Sequence, residues 1–349
     1  MKRRWVVLGM GMILFLIVPF LSQGAEDKSA ALQRLYEAAK KEGQLVLFDG
    51  TTIEEITQVI QVFEKRYPGI KVQAKVASSP TIPQQVILES QAGKLSIDAI
   101  QTGVQPFMVS LMDRNLMRKL DLDRVMDVDP TSVWGGGVLW VLQSIVPCFA
   151  YNTNLVSKAD VPKTYEDLLD PKFKGGKIYL SVTTIGTGAM FFTRKENEVV
   201  DYLKRLRAQQ IVIQRDPRSC TAAVSSGEAS VGESFARLVG PTKQRGAPVD
   251  LAPIGPQIYI PEGTCALTGS PHPKAAELWI AWRLSPEGRD TTLRVHGNAP
   301  EIKCTNSPAA QLLCDKGIKF RVLSTVEDAR LLGQYQAKAR ELLGMEPGK

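Results

Sequence analysis

The chain has 349 residues, with 43 Lys and Arg against 36 Asp and Glu and a formal net charge of +7. Hydrophobic residues make up 44% and charged residues 23%, a balance that excludes both a disordered chain and a bundle of membrane spans. The basic excess is spread along the chain rather than gathered in one patch, so no nucleic-acid partner is expected.

In chain order, Lys2, Arg3 and Arg4 form a basic start, Trp5 to Leu21 is an uncharged apolar run, and Ser22-Gln23-Gly24 offers small residues at its exit. This pattern predicts a secretory signal over residues 1–24, cleaved before Ala25, with a retained anchor as the alternative. The stretch has no cysteine, so no lipid anchor is expected. The mature chain would be soluble and exported to the periplasm. It would carry 40 basic against 36 acidic side chains, a net of +4, which suits an anionic ligand without demanding one. Roughly 325 residues exceed one ordinary core and suit two lobes.

Leu32, Leu35, Tyr36 and Ala39 form a helical stripe over 28–42, stopped by Gly43. Leu45 to Phe48 is a strand, Asp49-Gly50-Thr51-Thr52 a polar turn, and Ile53, Ile56, Val59, Ile60 and Phe63 recur at helical spacing. Pro68-Gly69 ends that helix and Ile70 to Ala74 alternates as a strand. A strand, helix, strand unit implies parallel pairing. A helix over 81–92 and a strand over 97–100, ending at Gln101-Thr102-Gly103, extend the pattern, so the fold class is α/β.

Trp140 to Tyr151 reads as one long buried strand. A short helix at 165–169, a strand at 178–182, the loop Thr183-Thr184-Ile185-Gly186-Thr187-Gly188 and a helix from about Ala189 follow. Further strands are expected at 211–213 and 229–231. Ser219 is the expected cap of the helix between them. Helices are expected over 271–284, around Ala275, Leu278, Trp279 and Trp282, and over 324–344. No internal repeat or low-complexity tract interrupts the order.

Five cysteines follow the leader: Cys148, Cys220, Cys265, Cys304 and Cys314. Cys304 and Cys314 are close enough for a small disulfide loop, Cys220 is the expected free thiol, and five buried thiols are the alternative. His272 and His296 are the only histidines and read as surface or loop residues, too few for a usual zinc or haem site.

Leu45 to Gly50, Phe63-Glu64-Lys65-Arg66-Tyr67-Pro68-Gly69-Ile70-Lys71-Val72, Ala150-Tyr151-Asn152-Thr153, Ser226-Gly227-Glu228 and Ser285-Pro286-Glu287-Gly288 resemble, in order and spacing, family 1 extracellular solute-binding proteins. The most specific stretch is Pro162 to Gly175, with Thr164-Tyr165-Glu166-Asp167-Leu168-Leu169-Asp170-Pro171-Lys172-Phe173. The resemblance points to the subgroup that includes ferric-ion-binding proteins. It implies the type II periplasmic-binding-protein fold: two α/β lobes joined by hinge strands around a ligand cleft. Lobe 1 would comprise 25–150 plus 262–300, and lobe 2 would comprise 151–261 plus 301–349 with the C-terminal helices. Val146 to Tyr151 and Glu262 to Leu267 would be crossing strands lying side by side, which would let Cys148 and Cys265 pair. Hinge closure would be the motion.

In such a fold, ligands sit beyond strand carboxyl ends at helix N-termini. The expected ligand residues are Asp49, Gly50, Thr51, Thr52, Thr102, Gly103, Tyr151, Thr183, Thr184, Gly186, Thr187, Arg218, Ser219 and Arg237. The Thr183–Thr187 loop is the leading cradle, since hydroxyls, glycines and a helix start converge there. Arg218 and Arg237 would clamp a carboxylate or phosphonate. Ferric-binding relatives place a histidine, an acid and a tyrosine pair where this chain has Thr51-Thr52, Thr102-Gly103 and Phe235-Ala236-Arg237-Leu238. The expected ligand is therefore a small organic anion or a metal chelate, with no metal site and no cofactor. Ferric iron bound directly is the alternative.

The implied role is the periplasmic substrate-binding component of an ABC importer, a monomer that docks on an inner-membrane permease. A ligand-sensing receptor is a second reading. No Gly-x-Ser-x-Gly, Walker or His-Glu-x-x-His motif supports an enzyme.

Overall fold

The computed structural model describes residues 20–76, 81–103, 106–298 and 308–345. Most of the leader and Cys304 lie outside them, and no described helix is long and apolar enough to cross a membrane. Twelve strands are described. They are β1 Gln44–Asp49, β2 Lys71–Val76, β3 Ala99–Gly103, β4 Val133–Trp134, β5 Leu139–Ile145, β6 Pro147–Asn152, β7 Ile178–Ser181, β8 Val212–Gln214, β9 Val231–Phe235, β10 Val249–Ala252, β11 Gln257–Ala266 and β12 Phe320–Val322.

The strands make two sheets. The first has the order β2-β1-β3-β11-β5-β4, with β12 against β11, and the second has the order β10-β6-β9-β7-β8. Within the first, β1 is parallel to β2 and β3, while β11 is antiparallel to β3 and β5. Within the second, β7 is parallel to β8 and β9, while β6 is antiparallel to β9 and β10. Helices connect the parallel strands, so the fold is α/β in two lobes.

The helix Ile53–Arg66 shows why the local code works. Thr52 and Glu55 form a reciprocal capping box, Glu54 and Glu55 occupy the first turn, and Lys65 and Arg66 occupy the last, matching both ends of the helix dipole. Ile56, Val59 and Phe63 form its buried stripe. Phe63 meets Trp279 and Trp282 edge-on at centroid distances of 5.0 and 5.3 Å, locking this helix to the helix Pro273–Leu284. A separate core in the second lobe gathers Phe149, Tyr165, Leu168, Leu180 and Leu203.

Several elements differ from expectation. The run 140–151 is two strands, not one: β5 ends at Ile145 in the first sheet and β6 begins at Pro147 in the second. All of its residues are buried, so hydrophobic periodicity hid the break. The partner of β11 across the hinge is β5, with Ile260 opposite Ile145 and Thr264 opposite Trp140, not the strand that follows. Asp216, rather than Ser219, caps the helix Pro217–Ser226. The helix after β7 starts earlier than expected, at Ile185, and is only Ile185–Ala189, before the longer Glu196–Arg207.

The chain crosses between lobes at Val146 and returns between Ala252 and Gln257. β11 joins the first sheet from Gln257, ahead of residue 262, and β12 joins it from within the 301–349 segment. Ile145, Ile185, Phe235, Ile258 and Ile260 form an apolar seam at the crossing. The C-terminal helix Val326–Leu343 packs on Ile185–Ala189 and Glu196–Arg207 of the second lobe and also on Pro106–Asp113 of the first.

This topology removes the expected Cys148–Cys265 pair. Cys148 lies opposite Ser234 in the second sheet and Cys265 opposite Ile100 in the first. Both are free and buried, as is Cys220, and burial raises all three thiol pKa values. Cys314 is disulfide-bonded. Alkylation under non-reducing conditions is expected to leave Cys148, Cys220 and Cys265 untouched in native protein and to label all three after denaturation. Peptide mass mapping reads this. A 148–265 peptide pair joined by a bond that reduction cleaves would contradict the register.

Candidate functional site

Strand register places five polar side chains on one face of the first sheet. Asp49 lies opposite Gln101, Gln101 opposite Thr264, and Glu262 opposite Gln143, and alternate residues of a strand share a face. All five side chains are buried, from 0 to 4% exposed. A buried polar row of this kind requires partners. The helices Pro273–Leu284 and Pro286–His296 pack over this lobe and supply Arg283 and His296.

Arg283 is 1% exposed. Its Nη2 donates to Thr292 Oγ1 at 3.1 Å, while Nε and Nη1 have no hydrogen-bond partner. Burial pulls its pKa down to about 10 against the opposing pull of the Asp49 and Glu262 carboxylates. His296 is buried with neither ring nitrogen bonded. Burial, then the charges of Arg283, Arg237 and Arg218, hold its pKa well below the ordinary value, so it is a neutral imidazole. Three guanidiniums thus act on one histidine.

Two of those guanidiniums come from the second lobe. Arg237 opens the helix Ala236–Gln244 directly after β9, and Arg218 opens Pro217–Ser226. Arg237 Nη1 donates to Glu55 Oε1 at 3.0 Å, and Arg218 Nη2 lies 3.7 Å from Glu55 Oε2. Glu55 Oε2 also accepts from the Thr52 N–H at 2.9 Å. The capping box of a first-lobe helix is therefore the joint that both second-lobe arginines reach. Burial, then the like charge of Arg237, lowers the Arg218 pKa.

Asp49 Oδ1 accepts from both the backbone N–H (2.7 Å) and the hydroxyl of Thr51, and Oδ2 has no donor. Burial pushes its pKa up to about 6, against the Thr51 bonds and Arg283. Most of the buried side-chain N and O atoms that lack a partner among the described residues belong to this one cluster. They include Asp49 Oδ2, both ends of Gln101, Gln143 Oε1 and Thr264 Oγ1.

The expected residues divide. Asp49, Thr51, Thr52, Arg218 and Arg237 reach the cluster. Gly50 is a close-approach residue: a Cβ there would stand 2.7 Å from Thr102 Oγ1. Thr102 lies opposite Gly263 on the other face from Gln101, and Gly103 ends β3 opposite Glu262. Ser219 spends its N–H and hydroxyl on Asp216 (2.8 and 2.9 Å). Tyr151 packs into the second-lobe core, not into the cluster.

The Thr183–Thr187 loop is corrected most. Its partner is internal: Gly186 N–H donates to Glu233 Oε1 at 2.6 Å, and Ser181 N–H to Oε2 at 2.9 Å. Thr184 Oγ1 bonds the Gln336 carbonyl at 3.0 Å, and Gln336 Nε2 donates to the Thr183 carbonyl at 2.9 Å. A Cβ on Gly186 would meet Glu233 Oε1 at 2.6 Å. The glycine admits the protein's own carboxyl group, and the loop's Thr184 and Thr183 are bonded to Gln336.

Sequence reasoning missed Gln143, Glu262, Thr264, Arg283 and His296. Arg283 stands inside the apolar run Leu278-Trp279-Ile280-Ala281-Trp282, and Gln143 inside β5, so a polar residue within a buried periodicity was the available signal. His272 is fixed by structure: its Nδ1 meets Asp98 Oδ2 at 2.9 Å and its Nε2 meets Gln44 Nε2 at 3.0 Å.

Two α/β lobes linked by strand crossings, with charged groups of both meeting between them, define a two-lobed binding protein. The chain belongs to the bacterial extracellular solute-binding protein family, which it matches over residues 58–304. Its fold is similar to that of iron-bound HitA from Pseudomonas aeruginosa, with TM-score 0.71, 21% identity, and 86% of this chain and 99% of that one covered. It is equally similar to the periplasmic binding protein AfuA from Actinobacillus pleuropneumoniae with fructose-6-phosphate bound, with TM-score 0.71, 19% identity and coverage of 87% and 99%. An uncharacterized Haemophilus influenzae protein is 30% identical over 172 residues. That match spans 47% of this chain and 49% of that protein, so the chain aligns with about half the length of this curated relative.

Proposed function

We propose that this chain is the periplasmic substrate-binding component of an ABC importer, capturing a small organic anion by hinge closure and delivering it to an inner-membrane permease. The observation that carries the reading is the convergence of Arg218 and Arg237 from one lobe with Arg283 from the other, each with unpartnered N–H groups. A guanidinium only donates hydrogen bonds. Three of them in a low-dielectric cleft select an acceptor-rich, negatively charged guest. Contributions from both lobes let the guest add to the ties that Arg237 and Arg218 already make to Glu55, so binding and closure are coupled. The protein's part is capture rather than catalysis, and it works as a monomer.

Similar structures hold iron in one case and a sugar phosphate in another. The donor set here favours the second chemistry. Among the described residues no group of three His, Cys, Asp or Glu is placed to hold a metal ion, and three guanidiniums repel a bare cation. A chelate presenting carboxylates outward would meet the same groups. Thermal melting and calorimetry of the exported protein against carboxylates, phosphate esters, phosphonates and ferric ion are expected to show stabilisation by an oxyanion class and none by ferric ion alone. Tight binding of ferric ion without an anion would overturn this reading.

A further inference from the structure

We infer that the guest has two chemical ends: an oxyanion facing Arg218, Arg237 and Arg283, and a hydroxyl or ammonium group donating to Asp49, Gln101 and Gln143. This inference rests on the anion reading above and sharpens it. Asp49 Oδ2, Gln101 Oε1 and Gln143 Oε1 are acceptors with no donor, on side chains that are at most 1% exposed and share one face of the first sheet. A buried acceptor left unmet costs about 1–3 kcal/mol, so three on one face of the sheet, across β1, β3 and β5 with β11 between the last two, mark a place where a donor is received.

The donors of the cluster do not fill this role. Arg283 is close enough to Asp49 and Glu262 for each carboxylate to act on it, yet its Nε and Nη1 stay unbonded while Asp49 Oδ2 also stays unbonded. Gln143 Nε2 donates to Glu262 Oε2, but the free Arg283 N–H groups and the free Asp49, Gln101 and Gln143 oxygens of the same buried region do not reach one another, and a molecule of mixed polarity bridges them. A bare inorganic oxyanion would satisfy the guanidiniums but would also face Asp49 and Glu262, with repulsion and no donor of its own. The charge balance agrees, with three arginines standing against Glu55, Asp49 and Glu262. A ligand with one acidic end and one donor end complements both halves.

The test is calorimetry on the full exported chain with matched pairs. Glycerol 3-phosphate is set against propyl phosphate, malate against succinate, and 3-aminopropylphosphonate against propylphosphonate. The first two pairs probe a hydroxyl and the third an ammonium. The donor-bearing member of at least one pair is expected to bind at least about tenfold tighter, close to 1.4 kcal/mol. In Asp49→Ala and in Gln143→Met that preference is expected to fall below about threefold, and in Asp49→Ala, which removes a repelling carboxylate, affinity for the plain member is expected to rise. Gln143→Met leaves the Thr51 bonds of Asp49 intact, so it serves if Asp49→Ala folds poorly. Equal binding within every pair overturns this inference and leaves the anion reading standing. Absence of binding by all six probes overturns both, and a preference that survives both substitutions overturns the assignment to these residues.

Discussion

Arg237→Met is expected to weaken oxyanion binding by about thirtyfold to a few thousandfold. Truncating one member of a buried, hydrogen-bonded charge pair costs about 2–5 kcal/mol, and about 1.4 kcal/mol is tenfold in affinity. Arg237 combines the two properties that place it in that range. Its side chain is 5% exposed, and it reaches from the second lobe to Glu55 on the first, so its loss removes a ligand donor and an interlobe tie together. Arg237→Lys keeps the charge and loses the planar fork, and its affinity should fall between those of the wild type and the Met variant. The unliganded protein should lose only about 1 kcal/mol, because Glu55 is partly solvated and retains the Thr52 bond. Calorimetry with the tightest anion found, alongside thermal melting, separates the two effects. An unchanged dissociation constant in Arg237→Met would remove this residue from the site.

Glu233→Gln is expected to flatten the pH dependence of stability. Burial raises the Glu233 pKa from 4.5 to about 7, even though the Ser181 and Gly186 N–H groups favour the charged form. The folded state therefore holds a proton that the unfolded chain releases between about pH 4.5 and 7. That contribution is fully present below the unfolded pKa and is lost as pH rises through the folded one. At about 1.4 kcal/mol per pH unit it amounts to about 3 kcal/mol for the shift stated. Asp49, raised from 3.8 to about 6, adds a slope of the same sign at lower pH. Urea unfolding of wild type and Glu233→Gln from pH 4.5 to 8 should nearly coincide at low pH and separate towards high pH, where wild type becomes the less stable. Parallel curves across that interval would mean that Glu233 is ionised throughout.

How much of this was legible beforehand varies by element and for stated reasons. The helix Ile53–Arg66 announces itself because its cap, charge gradient and apolar stripe are all local. The break at Val146 does not, because two strands buried on both faces read as one hydrophobic run. Asp49 and Arg237 were identifiable as residues at strand ends, where α/β folds place ligands. Arg283 and His296 sit on helices far along the chain, and only packing shows that they come together beside the first sheet, where the charge of Arg283 acts on His296. The Thr183–Thr187 loop had every local mark of an anion cradle. Local chemistry pointed to a bound ligand there and could not show that Glu233, on another strand, already takes the Gly186 and Ser181 N–H groups.

What the amino-acid order decided by itself is the α/β alternation, the two-lobe scale and the family resemblance, since these rest on periodicity, capping and short motifs read within a few neighbours. What tertiary structure alone decided is which polar residues are spent internally and which are left facing one another. A hydrogen bond depends on distance and angle between groups brought together from anywhere in the chain. Glu233 and Glu262 are similar acids on strands of similar burial, yet one is consumed by two backbone amides and the other takes one bond from Gln143 and stands beside Arg283.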